Sequence, residues 1–240
     1  MTSFENIYHT QKYQEHRQRY ISKIFMPHNK RETEKLPLEA GFILESTEYS
    51  LYENNSERPN LTAYEQTLVS PDKSVVLRWQ LCDDHDFTSF TQIFTHSDGR
   101  LYLIYKEDLY GYSVLRLSDR KELHYVPLGY YPDNAEEPPC PGESFIMTDF
   151  HYCHENNFAA AGGCFWAAPY DTVVLDFSDP LSPPDKIRTI HNIIDPNYEN
   201  DDLEDIDFKE WQNGHLILEA DTIKEQFRFS PDDLRRFMSM

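Results

Sequence analysis

No apolar run in this sequence approaches the roughly 18–20 residues that a membrane-crossing helix needs. The segment MTSFENIYHTQKYQEH is acidic and polar where a secretory signal requires an apolar centre. These two absences predict a cytoplasmic protein without a membrane partner. There is no Gly-rich phosphate loop, no G-x-S-x-G elbow and no H-E-x-x-H pair, so nothing calls for a nucleotide or another cofactor. The four cysteines, Cys82, Cys140, Cys153 and Cys164, lack any C-x-x-C spacing and read as free thiols in a reducing compartment. Basic residues are also scarce, with 22 Lys and Arg against 42 Asp and Glu, a net charge of −20. A surface that acidic repels phosphate backbones and argues against nucleic-acid binding.

The charge is uneven. Residues 1–31 carry a net +4 and the remainder −24. Thr2 and Glu5 fit a capping box, and Phe4, Ile7, Tyr8, Tyr20, Ile21, Ile24 and Phe25 partly follow helical spacing up to Pro27. The spacing predicts one helix over residues 3–25, with its basic charges either in solvent or against the acidic body. Residues 28–38 read as a linker. The domain organisation expected is therefore residues 1–38, helix and linker, and residues 39–240, a β-rich domain.

Beyond Leu38 short apolar segments recur: SVVLRWQL, RLYLIY, YSVLRLS, TVVLDFS, HLILEA and EQFRFS. They are rich in Val, Leu, Ile, Tyr and Phe, which suits strands. Pro71-Asp72, Asp98-Gly99, Asn156-Asn157 and Asn213-Gly214 mark turns between them. Ser230-Pro231-Asp232-Asp233 starts a short closing helix. YGYSVLRLSD (Tyr110 to Asp119) and YDTVVLDFSD (Tyr170 to Asp179) lie sixty positions apart. Each sits in a longer stretch reading strand, turn, strand, strand, Ser-Asp turn, strand. A partial copy begins at DFKEWQNGHLILEA and a degenerate one at YEQTLVSPDKSVVLRWQL. Four antiparallel strands per unit resembles the blade repeat of β-propellers. VVLDFSDPLSPP looks like repeats that end in a valine-rich strand and Asp-x-Ser-Asp-Pro. Ser70 to Asp72 is similar to the turn before strands in tryptophan–aspartate repeats. The resemblance implies a mainly β, propeller-like fold, with Val114 and Val174 on equivalent strands. The same segments also fit a β-sandwich or a mixed β-rich fold.

Site chemistry is sparse. Cys164, among small apolar neighbours, reads as a structural cysteine rather than a nucleophile. In DFHYCHENN, Asp149, His151 and His154 offer carboxylate and imidazole ligands for a metal. Asp149 and His151 share a face of an extended chain; His154 needs a bulge or turn to join them. Cys82 with Asp83, Asp84 and His85 is a weaker second cluster. DPNYENDDLEDID lacks the Gly and the closing Glu of a calcium loop. Two functional readings follow. The first is a non-catalytic interaction protein, of the adaptor or toxin-neutralising kind, recognising a protein partner with a basic face. Its contacts would be Tyr130, Tyr131, Glu136 and Glu137 in a Pro-rich acidic stretch, with Asp201, Asp202, Glu204 and Asp205. The second is a metal-assisted hydrolase built on Asp149, His151 and His154.

Overall fold

Tight turns cut the chain into antiparallel ladders. A computed structural model describes residues 6–52, 59, 61–82, 90–127, 144–165, 168–184, 187–195, 203, 205–220 and 224–239. The first sheet holds β1 (Lys30–Pro37), β2 (Ile43–Leu51), β3 (Leu61–Val69) and β4 (Val75–Cys82). The second holds β5 (Thr91–Thr95), β6 (Leu101–Tyr105), β7 (Tyr112–Arg116) and β8 (Lys121–Tyr125). In the third, β9 (Ile146–Met147) and β10 (His151–Tyr152) both pair with β11 (Phe158–Cys164), followed by β12 (Asp171–Asp176) and β13 (Arg188–Thr189). The fourth contains β14 (Ile206–Gln212), β15 (His215–Ala220) and β16 (Glu225–Phe229). Apart from β9, which pairs with β11 rather than β10, each sheet is a meander of consecutive strands, as in propeller blades. The fold is mainly β and propeller-like.

The turn residues do what their chemistry predicts. Asn213 and Gly214 both take positive φ, 51° and 72°, between β14 and β15, the geometry a two-residue hairpin needs. Between β3 and β4 the positive φ falls on Lys73, while the Asp72 carboxylate accepts the Ser74 N–H at 3.0 Å.

The sheets stack face to face in chain order. Leu44, Leu68 and Trp79 of the first meet Ile93, Leu103, Tyr105 and Leu115 of the second. Tyr102, Ile104 and Val114 face Ala159, Ala161, Val173 and Leu175 of the third. Phe158, Ala160 and Val174 face Ile206, Leu216 and Leu218 of the fourth. A strand buried on both faces alternates only in which neighbour it touches, so β7 and β12 read as unbroken apolar runs. Val114 and Val174 each lie on the third strand of a sheet, fully buried, and each points to the next sheet in the chain. The two Tyr-to-Asp stretches therefore hold equivalent places in successive sheets.

Lys106 ties three sheets together. Its ammonium, 1% exposed, donates to the carbonyls of Leu109 (2.7 Å) and Met147 (2.9 Å), while its own carbonyl accepts the Trp79 indole N–H at 3.1 Å.

The helices differ from the expected bounds. Helix α1 runs Gln11–Ile24, not 3–25, because Thr10 is the residue whose hydroxyl caps the Tyr13 N–H. Thr2 and Glu5 lie outside the described residues. The helix ends where the Asn29 side chain takes the carbonyls of Ile24 (2.9 Å) and Lys23 (3.2 Å). Residues 30–37 are not a linker but β1, an exposed and charged edge strand paired with β2, a composition that discourages edge-to-edge association. Helix α2 is a single turn, His191–Ile194. Helix α3 (Pro231–Ser239) starts as expected: the Asp233 N–H donates to Ser230 Oγ, and the Ser230 N–H donates to the Asp233 carboxylate. No described helix is long and apolar enough to cross a membrane.

One buried carboxyl gives the fold a pH signature. Asp171 opens β12 and accepts the backbone N–H groups of Thr172 (2.7 Å) and His191 (3.2 Å). Burial outweighs these bonds and pushes its pKa up from 3.8 to about 6. The folded state then binds the proton more tightly than the unfolded chain does. Asp171 therefore costs stability progressively as pH rises from 3.8 to about 6, and the cost is complete above that. Asp171→Asn keeps an acceptor and removes the charge. It is expected to stabilise the protein by roughly 1–3 kcal/mol at pH 7 and to make little difference at pH 4. Urea unfolding at the two pH values checks this, and equal effects at both would refute it.

Candidate functional site

The described residues place a polar cluster beneath α1, against the edge of the second sheet. Its carboxylates follow directly from β6, where the apolar strand LYLIY ends in Lys106-Glu107-Asp108. The Cys82 N–H donates to the Glu107 carbonyl at 2.9 Å, fixing this turn to the end of β4. Residues 6–8 cross the end of β8. The Asn6 amide donates to the His124 carbonyl (2.7 Å) and accepts the Val126 N–H (3.1 Å), while the Ile7 N–H donates to the Val126 carbonyl (2.9 Å). This clamp lays the Tyr8 ring flat on the His124 imidazole, with centroids 4.4 Å apart and planes 9° from parallel.

Glu107 is the centre. Its side chain is 11% exposed, and Oε2 lies 3.0 Å from both Ser113 Oγ, which donates to it, and His124 Nδ1. The Tyr8 hydroxyl lies near enough to act electrostatically on the carboxylate. His124 Nε2 lies 3.4 Å from Glu122 Oε2. Alongside, the buried Tyr13 hydroxyl donates to Asp108 Oδ2 at 2.8 Å. Arg17, one helical turn on, is 7% exposed and donates from Nη2 to the Gln80 carbonyl.

Burial alone would raise the Glu107 pKa. The His124 hydrogen bond and the Arg17 charge, followed by the His124 charge and the Tyr8 hydroxyl, outweigh it and hold the carboxyl below its ordinary range. Burial alone would favour neutral His124; the hydrogen bond and charge of Glu107, then Glu122, reverse this and raise its pKa. Burial, then the Glu107 charge, pushes the Tyr8 hydroxyl far above its ordinary value. The shifts favour carboxylate, imidazolium and neutral phenol. The arrangement is not a nucleophile triad, because Ser113 and Glu107 both meet Nδ1, whereas a serine relay needs them on opposite ring nitrogens.

The cluster opens into a cleft of about 380 Å³ between α1 and β3–β4. Tyr8, Arg17, Glu65, Arg78 and Glu107 are among its lining residues. Of the two expectations for the basic helix, each holds for part of it. Arg17 is buried beside the acidic Glu107 and Asp108, and Lys12, Arg19 and Lys23 stay exposed. Tyr8, Arg17, Glu107 and His124 were not among the residues singled out from sequence. The available signal was three consecutive charges at the end of a buried strand.

The expected metal site does not assemble. Asp149 Oδ1 accepts the Gly162 N–H at 2.6 Å and lies 3.4 Å from His151 Nε2, so two of the three residues meet. A Cβ on Gly162 would stand 2.8 Å from Asp149 Oδ2, so the glycine makes room for the carboxylate. The His151 ring stacks on Phe208 at 3.8 Å. His154, of opposite parity to His151, is exposed in the turn before β11. Among the described residues no group of three or more His, Cys, Asp or Glu side chains is placed to hold a metal ion. Cys153 is buried and Cys164 partly so, and burial raises both thiol pKa values.

Tyr130, Tyr131, Glu136, Glu137, Asp201, Asp202 and Glu204 lie outside the described residues, as do Asp83, Asp84 and His85. Asp205 is described, and its carboxylate accepts the Tyr170 N–H at 2.8 Å, a structural link between the third and fourth sheets.

No family model matches the chain, and no curated protein matches it. Among solved structures it is similar to an α-L-arabinanase of Cellvibrio cellulosa complexed with arabinohexaose. The identity is 12% and the TM-score 0.38, covering 83% of this chain and 72% of that one. That neighbour is an enzyme, where the expectation from sequence was a non-catalytic adaptor or toxin-neutralising protein.

Proposed function

We propose that the cleft beneath α1 is the active site of an enzyme that acts on a small polar solute by proton transfer. The observation that carries this reading is the cleft-lining Tyr8 stacked on His124, whose Nδ1 meets the carboxylate of Glu107 on the same cleft. Perturbed acid–base groups gathered at a concave site are a physical mark of function. Tyr8 is the group that touches the ligand. Its high pKa forbids a resting phenolate, so a proton leaving Tyr8 is replaced in the same event through Glu107 from the imidazolium of His124. The raised His124 pKa favours the protonated ring that supplies it.

The test is a thermal-shift screen of the purified protein against amino acids, sugars, organic acids and nucleotides. Mass spectrometry then follows turnover of each compound that binds. Tyr8→Phe preserves the ring stacked on His124. It is expected to retain binding and to lower turnover by about 100-fold or more, the usual contribution of a positioned acid or base. No turnover of any binder, or turnover indifferent to Tyr8→Phe, refutes the proposal.

A further inference from the structure

Arg17 is a buried cation with most of its hydrogen-bonding capacity unspent. A guanidinium carries five N–H donors, and buried polar groups are ordinarily satisfied. Arg17 is 7% exposed, yet among the described residues it makes one hydrogen bond, to the Gln80 carbonyl, and no ion pair. Glu107 and Asp108 act on it electrostatically but neither forms an ion pair with it. Among the described residues, none of the Arg17 nitrogens is both sealed from solvent and unbonded. Its spare donors therefore face the cleft that it lines.

The charges around that cleft are balanced. Arg78, exposed on β4, adds a second cation, and Glu65, partly buried on β3, joins Glu107 as a second anion. Neither Arg78 nor Glu65 has an ion-pair partner among the described residues. An anion alone would face two carboxylates, and a cation alone would face two guanidinium groups. A neutral ligand would remove water from Arg17 without replacing its counter-charge, which is costly in a low-dielectric site. A molecule with both signs meets all four groups. The volume, about 380 Å³, lies near the lower end for small-molecule sites, and the half-buried Ile21 offers a short apolar wall.

Resting on the reading of this cleft as the active site, we propose that its ligand is a small zwitterion of the free amino-acid class, with the carboxylate on the guanidinium of Arg17 and the ammonium toward Glu65 and Glu107. Planar guanidinium and carboxylate match in a two-bond fork that lysine cannot reproduce.

Calorimetric titration of the intact protein tests this with free L-amino acids, their N-acetyl and carboxamide derivatives, inorganic phosphate and glucose. At least one free amino acid is expected to bind, and blocking either end should weaken it at least tenfold. Arg17→Met should abolish the preference for the free carboxylate over the carboxamide. Arg17→Lys keeps the buried charge if the methionine variant does not fold, and it too should lose most of that preference. Arg78→Met, at an exposed position, should weaken binding less. No binding by any free amino acid, or binding unchanged by blocking its carboxylate, overturns the zwitterion assignment. If glucose or phosphate binds and is turned over in a Tyr8-dependent manner instead, the assignment falls while the active-site reading stands. If no compound binds or turns over, both fall.

Discussion

Gly111→Ala is expected to lower the melting temperature by about 10 °C or more, a loss of roughly 4 kcal/mol. Gly111 has φ of +79°, where any other L-residue costs about 1–2 kcal/mol. The larger part is steric. A Cβ there would stand 2.0 Å from the Tyr125 carbonyl oxygen and 3.0 Å from Val126 Cα, and backbone cannot swing aside as a side chain can. The displaced strand would be β8, whose Tyr125 pairs with Tyr112 and packs between the second and third sheets. Gly99→Ala is the matched control. Its φ is +78°, but nothing lies within 4 Å of the added methyl, so only the conformational cost remains, about 1–2 kcal/mol. Thermal and urea unfolding of the two variants separate the contributions. Equal losses would mean that β7 and β8 do not approach at Gly111 as described.

Glu107→Gln is expected to cost roughly 3–5 kcal/mol near pH 6, because it leaves the buried His124 charge without its ion-pair partner and removes a compensating charge near Arg17. The pH dependence identifies the cause. The folded-state pKa of Glu107 is depressed, so its stabilisation is present above the ordinary 4.5 and lost as pH falls through the lower folded value. The folded-state pKa of His124 is raised, so its stabilisation is full below the ordinary 6.5 and lost as pH rises through the higher folded value. The network contributes most between those limits. The difference between wild type and variant should therefore shrink in strong acid, where Glu107 itself becomes neutral, and also in mild alkali. Urea titrations at steps of pH measure it, and a difference independent of pH would show that Glu107 acts through packing rather than charge.

The repeat was legible in the sequence because β7 and β12 are buried on both faces. Val114-Leu115 and Val174-Leu175 then read as the same apolar core between the same Tyr and Ser-Asp boundaries. Turns were legible for a local reason, since Asp98-Gly99 and Asn213-Gly214 carry their own backbone preference. Strand β1 was not, because KRETEKLP has no buried face and is a strand only through its pairing with β2. The helix start was misplaced because Thr2-Glu5 and Thr10 offer competing caps, and residues 6–7 instead bond to Val126. The candidate site was illegible for a different reason. Glu107 and His124 meet through the pairing of β6, β7 and β8, and Arg17 reaches them only when α1 packs on the sheets. The proposed Asp149–His151–His154 trio failed on parity, which the strand and turn at that place leave unrelieved.

The bond from the Asn6 amide to the His124 carbonyl spans 118 residues, and that span has a consequence for biosynthesis. A ribosome delivers α1 well before Glu107, His124 and Val126 exist. The four sheets can each zip from contiguous chain as it emerges, and α1 can meet β2, β3 and β4 once the first sheet exists, whereas residues 6–8 wait for β8 before their clamp can close. The segment just before the helix is thus placed later than the helix itself. A nascent chain stalled before His124 can carry α1 on the first sheet without the ring stack that seats Tyr8, so completion of the second sheet, not of the helix, finishes the site.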